Sequence, residues 1–553
     1  MGIYLNPKET AFKEAVNSEI YVDKTEMISY LNRVAKTEQK YVCVSRPRRF
    51  GKSMAAKMIC AYYNRAVDSR PLFEKCKISK ITTNDTSITW DEYLGKFDVI
   101  RLVITEFIKD SDSVDDMLEF LSDEVISELR HTYPDVYYGN RLNIRTVMNR
   151  IYENTNRQFV IIIDEWDAIF RERKDDKEGQ KKYLDFLRDW LKDKEYIALA
   201  YITGILPIKK YGKHSALNMF DEYSMTYPMQ LAPYTGFTAE EVEDLCKRYG
   251  RDYRKISGWY DGYRVSDILP PDPDHKQLSI TGQSPEAPKY SIYSPLSVVK
   301  AMRSGFINNY WNETETYEAL RQYIDWNFDG LKEDVAILMD GKKIPVDITG
   351  YQNDMTTFNS KDDILTMLIH LGYLSFDSDT KEVFIPNKEV LDVFKSSTKN
   401  RDWTVTFRAL QNSQKLLEAT WKGDQKTVAA LLEAAHDKAG NKTYHSEAGL
   451  SYAVQLAYYA AQDLYTIIPE LDTGKGYADL AYIPKNPKIP AMLIEFKYDK
   501  DADTAISQIH RQKYPDRLEL YKGNLILVSI NYDRTVSNDD VEFKHHSCEI
   551  EKA

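Results

Sequence analysis

The stretch that most restricts how this chain can fold runs from Tyr41 to Val67. A short apolar run, YVCVS, feeds the polar loop RPRRFGKS, which opens into MAAKMICAYYNRAV, where apolar residues recur at helical spacing. Strand, loop ending in Gly-Lys-Ser, and helix in that order predict a phosphate-binding turn on an α/β sheet. The runs FDVIRLVI, QFVIIIDEWD and YIALAYITGIL follow. They are rich in β-branched residues, do not alternate, and are separated by helical stretches at Met117 to Arg130 and Lys181 to Lys192. Near-continuous apolar strands alternating with helices predict a parallel sheet covered on both faces.

The 553 residues suffice for several domains of roughly 100 to 200 residues each. A content of 43% apolar and 29% charged residues, with 40 Tyr and 8 Trp, fits folded protein and opposes disorder. The net charge of -11 excludes a general polyanion-binding coat, so any nucleic-acid contact must come from local basic patches. The five cysteines, Cys43, Cys60, Cys76, Cys246 and Cys548, have neither zinc-site nor disulfide-scaffold spacing, which points to a reducing cytoplasm. The opening MGIYLNPKETAFKEAV lacks the basic start and apolar core of a secretory signal. The longest apolar stretch, Tyr196 to Leu206, falls short of the roughly 18 to 20 residues of a membrane span. A cytoplasmic protein with no membrane partner is expected.

Three regions follow from the pattern: a P-loop α/β domain over 1–235, a helical lid over 236–400, and a second α/β domain over 401–553. The β-rich rhythm stops near Phe237, where AEEVEDLCKRYG and SPLSVVKAMRSG read as amphipathic helices. The polar stretch Leu269 to Lys289 reads as an exposed loop. Asp362 to Phe394 gives helix, turn, short strand and helix. That order fits a winged helix and equally an ordinary helix and hairpin packed under the lid, since no basic cluster marks a recognition face.

In a P-loop, backbone N–H groups wrap the phosphates, a lysine supplies charge and a hydroxyl reaches Mg2+. Gly51, Lys52 and Ser53 satisfy the end of that pattern, and Arg46, Pro47, Arg48, Arg49 and Phe50 are the expected remainder of the cradle. Arg46 stands where the first glycine belongs, and Pro47 has no N–H, so the cradle must begin differently. Asp164 and Glu165 end the run FVIII, at the strand edge where ligands of open α/β sheets bind. Asp164 is expected to hold Mg2+ and Glu165 to orient the attacking water. Such a pair also fits a helix N-cap; with Lys52 and Ser53 alongside, catalysis is favoured. Thr203 closes a third strand, either as a γ-phosphate sensor or as a plain strand terminus.

In the C-terminal region, Asp479 in GYADLAYIP precedes Glu495 and Lys497 in AMLIEFKY. At a period of two, Glu495 and Lys497 share a face, and a hairpin would bring Asp479 beside them. Asp479 and Glu495 would hold Mg2+ on a phosphodiester, while Lys497 steers water and balances developing charge.

The motifs YVDKT (Tyr21 to Thr25), SRPRRFGKS, IIIDEWD, ITGILPIKK, GWYDGYR and YSPLSVV together resemble the bacterial AAA-ATPase-like family over about the first 300 residues. That resemblance makes Arg46 normal and implies ATP as the ligand. The sequence from about Ser446 to Asn531 resembles the PD-(D/E)XK nuclease superfamily as fused to such ATPases. It implies that Glu447 supports the metal site and that Gln508 and Tyr514 line a substrate groove. The expectation is an ATP-hydrolysing protein with an Mg2+-dependent nuclease acting on DNA. The alternative is an ATPase switch or scaffold whose nuclease-like fold only binds nucleic acid or a protein partner, and homo-oligomerisation stays open.

Overall fold

The computed structural model describes residues 2–81, 88–140, 142–208, 216–266, 289–311, 330–352, 358–397, 401–439, 464–472, 477–498, 521, 523–533 and 545–552, with 454, 457, 458 and 461. The chain divides into two units, Met1–Thr398 and Lys399–Ala553.

The first unit is built on β1 (Tyr41–Ser45), β2 (Asp98–Val103), β3 (Phe159–Asp164), β4 (Ile197–Gly204) and β5 (Asp221–Tyr223). They lie in the order β2-β3-β4-β1-β5, with every pairing parallel. Every residue of β1, β3 and β4 is buried, which is why these runs carry no polar alternation. Ile100, Leu102, Ile161, Ile163 and Ile202 pack with the helices Val114–Thr132, Ile144–Thr155 and Lys177–Leu191. Val42, Val44, Val160, Ile162 and Tyr201 pack on the other face with Lys52–Tyr63 and Met27–Val34. Burying each large aliphatic side chain is worth about 1.5–3 kcal/mol, so both faces resist a slip of register. The register sets Val44 and Asp164 on either side of Thr203, which levels the C-terminal ends of β1, β4 and β3.

Residues 237–397 belong to the same unit. The region expected to be helical also holds two small sheets. One joins β6 (Phe237–Thr238), β7 (Tyr263–Ser266) and β8 (Lys289–Tyr293) in the order β6-β8-β7. The other joins β9 (Ile344–Pro345), β10 (Ser375–Asp377) and β11 (Glu382–Phe384) in the order β10-β11-β9. Strands of two to five residues are too short to display a period of two, so the amphipathic helices dominate the pattern. One such helix, Ala239–Tyr249, is closed at its start by a reciprocal Thr238–Glu241 capping box. The helix-hairpin-helix order read over Asp362 to Phe394 is present, but its helix Lys361–Leu371 is buried continuously from Asp363 to His370. Packing, not a solvent-facing recognition surface, occupies it.

The second unit carries the helices Arg401–Lys422 and Gln425–Ala439 and a mixed sheet of β12 (Tyr465–Asp472), β13 (Tyr477–Pro484), β14 (Ala491–Tyr498), β15 (Leu525–Tyr532) and β16 (His546–Lys552). The strands lie in sequence order; β14 and β15 are parallel and the other pairs antiparallel. One face, with Leu480, Met492, Ile494, Phe496, Val528 and Ile530, packs with Leu416, Val428 and Leu432 of the helices. The opposite face is apolar at one end, through Ala481, Leu493 and Leu527.

All five cysteines are buried and free of disulfides. Among the described residues no helix is long and apolar enough to cross a membrane.

Candidate functional sites

The turn after β1 must reverse the chain within a few residues, and it does so with Arg49 and Gly51 in left-handed backbone conformations, at φ 68° and 85°. Nothing lies near a Cβ built at Gly51, so the glycine is required there for its φ and not for space. Gly51 immediately precedes the helix Lys52–Tyr63, whose N-terminus directs its partial positive charge toward the loop. Arg48, Arg49, Gly51 and Ser53 are exposed, whereas Arg46, Pro47, Phe50 and Lys52 are buried.

The buried group holds the loop from within. The Arg46 N–H donates to the Gly204 carbonyl, and its guanidinium Nη1 donates to the carbonyls of Ser45 and Tyr223 at 2.9 and 2.6 Å. With 1% of its surface exposed, Arg46 braces the loop from beneath through Nη1, while its Nη2 is buried without a hydrogen-bond partner. Pro47 likewise faces inward, against Gly372, where a Cβ would come within 2.7 Å of the proline ring. The Phe50 carbonyl accepts the Gly236 N–H, and the Phe50 ring meets Tyr263 edge to face at 5.1 Å, while the Tyr263 hydroxyl donates to the Gly372 carbonyl. Gly236, Tyr263 and Gly372 thus grip the back of the loop.

The Lys52 ammonium donates to the carbonyls of Arg46 and Pro47 at 2.9 and 2.8 Å. Burial pulls its pKa down to about 8, against the opposing charges of Asp167 and Asp164. Burial raises the Asp164 carboxyl, offset in part by the nearby Ser53 hydroxyl, Lys52 and Arg101. Asp164 Oδ1 and Thr203 Oγ1 are buried with no hydrogen-bond partner. A carboxylate oxygen beside a serine hydroxyl is the hard oxygen donor set that Mg2+ takes, so these residues fit that ion. Glu165, at φ 54° and with 39% of its side chain exposed, contacts Arg171 at 3.5 Å.

Asp167 was not singled out from the sequence. Its fully buried Oδ2 accepts the N–H groups of Ile205 and Leu206 and the Nε of Arg171. The signal was a third acidic residue three positions after Asp164, with an arginine four residues further on. A Cβ on Gly204 would lie 2.5 Å from Asp167 Oδ1, so glycine is required where β4 passes this carboxylate.

In the second unit, the β13–β14 pairing sets Leu480 opposite Ile494. One step further along that antiparallel ladder, Asp479 stands across from Glu495, and Asp479 Oδ2 accepts the Phe496 N–H at 2.6 Å. Lys497 Nζ lies 3.5 Å from Glu495 Oε1, both side chains being mostly buried. Burial, and then the charge of Asp479, push the Glu495 carboxyl up to about 7, with Lys497 opposing. Asp479, Glu495 and Lys497 therefore meet, and two carboxylates with a lysine suit a divalent cation on a phosphodiester. Among the described residues no third acidic, cysteine or histidine ligand completes the group. Glu447, Gln508 and Tyr514 lie outside the described residues.

Residues 10–212 match the family model of a predicted AAA-ATPase, and residues 450–539 match that of the PD-(D/E)XK nuclease superfamily. No curated protein matches the chain. Among solved structures, a chain from a study of katanin self-assembly is 11% identical at a TM-score of 0.19, over 46% of this chain and 62% of that one. The present chain thus spans less than two thirds of that katanin chain. The ORC2 protein of Aeropyrum pernix is 13% identical in its ADPNP-ADP complexes, at a TM-score of 0.22 over 69% of this chain and 97% of that one. Its ADP form is 12% identical, at 0.27 over 70% and 97%. Overlaps this loose carry no argument, and the two family matches stand on their own. This chain joins an AAA-ATPase-like domain to a domain of the PD-(D/E)XK nuclease superfamily.

Proposed function

We propose that the first unit binds and hydrolyses ATP with Mg2+ and that the second cleaves phosphodiester bonds in DNA with a divalent cation. The observation that carries this reading is that one chain sets carboxylates beside a lysine twice over, at Asp164 with Lys52 and at Asp479 and Glu495 with Lys497.

At the first site, Lys52 exchanges its two loop carbonyls for phosphate oxygens, and the N–H groups of the exposed loop and helix start face the same charge. Ser53 and Asp164 would hold Mg2+, which supplies neutralisation of phosphate charge. Thr203 offers its unpartnered hydroxyl to the terminal phosphate, and Glu165 positions water once Arg171 releases it. At the second site, Asp479 and Glu495 would hold the cation that polarises the scissile phosphate. Lys497 orients the attacking water and offsets negative charge as it develops.

The test compares ATP hydrolysis and cleavage of linear, circular, single- and double-stranded DNA, with Mg2+ or Mn2+ and with or without ATP. Wild type is set against Lys52→Ala and Lys497→Ala. Loss of hydrolysis in the first variant and of cleavage in the second supports the reading. Wild-type protein that hydrolyses ATP but cuts no DNA would reduce the second unit to a binding module.

A further inference from the structure

The polar face of the second sheet does not end at β14. β15 runs parallel to β14 with Glu495 opposite Ser529 and Lys497 opposite Asn531. With neighbouring strands roughly 4.8 Å apart, these four side chains form one block on a single face. Glu495 is therefore flanked by Asp479 on one side and Ser529 on the other. The rest of β15 on this face is apolar, since Leu525 and Leu527 pack with Ala481, Ala491 and Leu493.

Two polar residues at alternate positions inside the run LILVSINY need a physical reason. Ser529 is wholly buried and Asn531 is 7% exposed. Neither the Ser529 hydroxyl oxygen nor the Asn531 carboxamide oxygen finds a hydrogen-bond partner. A buried polar atom without a partner lowers stability, and an apolar residue of similar size would carry no such cost. Both orphaned oxygens lie beside the two residues whose chemistry calls for further hydrogen bonds once charge or water enters the site.

We propose that Ser529 and Asn531 are positioning residues of the divalent-cation site. Ser529 presents its hydroxyl to the Glu495 carboxylate, and Asn531 presents its carboxamide oxygen to water held beside Lys497, so both gain their hydrogen bonds when the site is loaded. The inference rests on the reading that Asp479 and Glu495 hold a cation. Groups that orient metal ligands in this way typically set affinity by roughly 10- to 100-fold.

The experiment titrates nucleotide-free, full-length protein with Mn2+, following the free-ion electron paramagnetic resonance signal, and takes melting curves in chelator alongside. Ser529→Ala and Asn531→Leu should each weaken the Asp479→Asn-sensitive binding roughly 10-fold, with the chelator melting temperature unchanged or raised. Asn531→Asp, which keeps the acceptor oxygen, should restore binding. Wild-type affinity in both variants, or a chelator melting temperature that falls together with affinity, overturns the inference. If wild type binds no Mn2+ that Asp479→Asn can remove, the cation-site reading fails and takes this inference with it. If Asp479→Asn abolishes binding while Ser529→Ala and Asn531→Leu bind normally, only the inference fails.

Discussion

Replacing Asp167 with alanine removes the side chain that ties the end of β4 to the segment leaving β3. Its Oδ2 accepts the Ile205 N–H at 3.1 Å, the Leu206 N–H at 2.9 Å and Arg171 Nε at 3.1 Å, with no solvent exposure of the side chain. In the alanine variant two main-chain donors lose their acceptor in a dry site, at about 1 kcal/mol each once the loop relaxes. Arg171, with 8% of its side chain exposed, keeps only the 3.5 Å contact to Glu165. That residual pairing limits its loss to about 2 kcal/mol, below the cost of a fully uncompensated buried charge. The expected destabilisation is about 4 kcal/mol for Asp167→Ala. For Asp167→Asn it is about 2 kcal/mol, because one oxygen still serves both N–H groups. Urea unfolding of the full chain reads the total, and hydrogen exchange at Ile205 and Leu206 reads the local part. Amide protection should be lost in the alanine variant and kept in the asparagine variant. Retained protection in Asp167→Ala, with a stability loss under about 1 kcal/mol, would refute the claim that this carboxylate organises the strand end.

Four further outcomes follow from the geometry of the two sites. ATP affinity should weaken as pH rises through about 8, because the Lys52 ammonium then loses its proton; affinity flat from pH 7 to 9 in equilibrium binding would contradict this. Divalent-cation affinity at the second site should fall about tenfold per pH unit below about 7, since the cation must displace the Glu495 proton, and a calorimetric series from pH 5 to 8 tests it. The same raised carboxyl makes the cation-free second unit gain stability as pH falls from 7 toward the ordinary 4.5, because the folded state binds more protons in that window; thermal melting in chelator shows the sign. Gly204→Ala should impair ATP hydrolysis by pushing Asp167 aside, its Cβ falling 2.5 Å from Oδ1; kinetics matching wild type would show that the carboxylate can yield.

What could be read in the residues themselves was the part governed by local pattern. Unbroken apolar runs announce strands buried on both faces, a Gly-Lys-Ser turn between strand and helix announces a phosphate loop, and the alternation in IEFK puts Glu495 and Lys497 on one face. Short strands such as β6 and β9 escape such reading because two residues carry no period. Tertiary packing decided the direction and pairing of groups far apart in sequence. Arg46 turns inward because carbonyls at Ser45 and Tyr223 receive it, and Asp167 becomes structural because the Ile205 and Leu206 amides arrive over it. Ser529 and Asn531 join Glu495 and Lys497 only through the parallel register of β14 and β15. Local periodicity tells which way a side chain leaves its own strand; which strand lies beside it is decided by the sheet, through hydrogen bonds and burial summed over the whole unit.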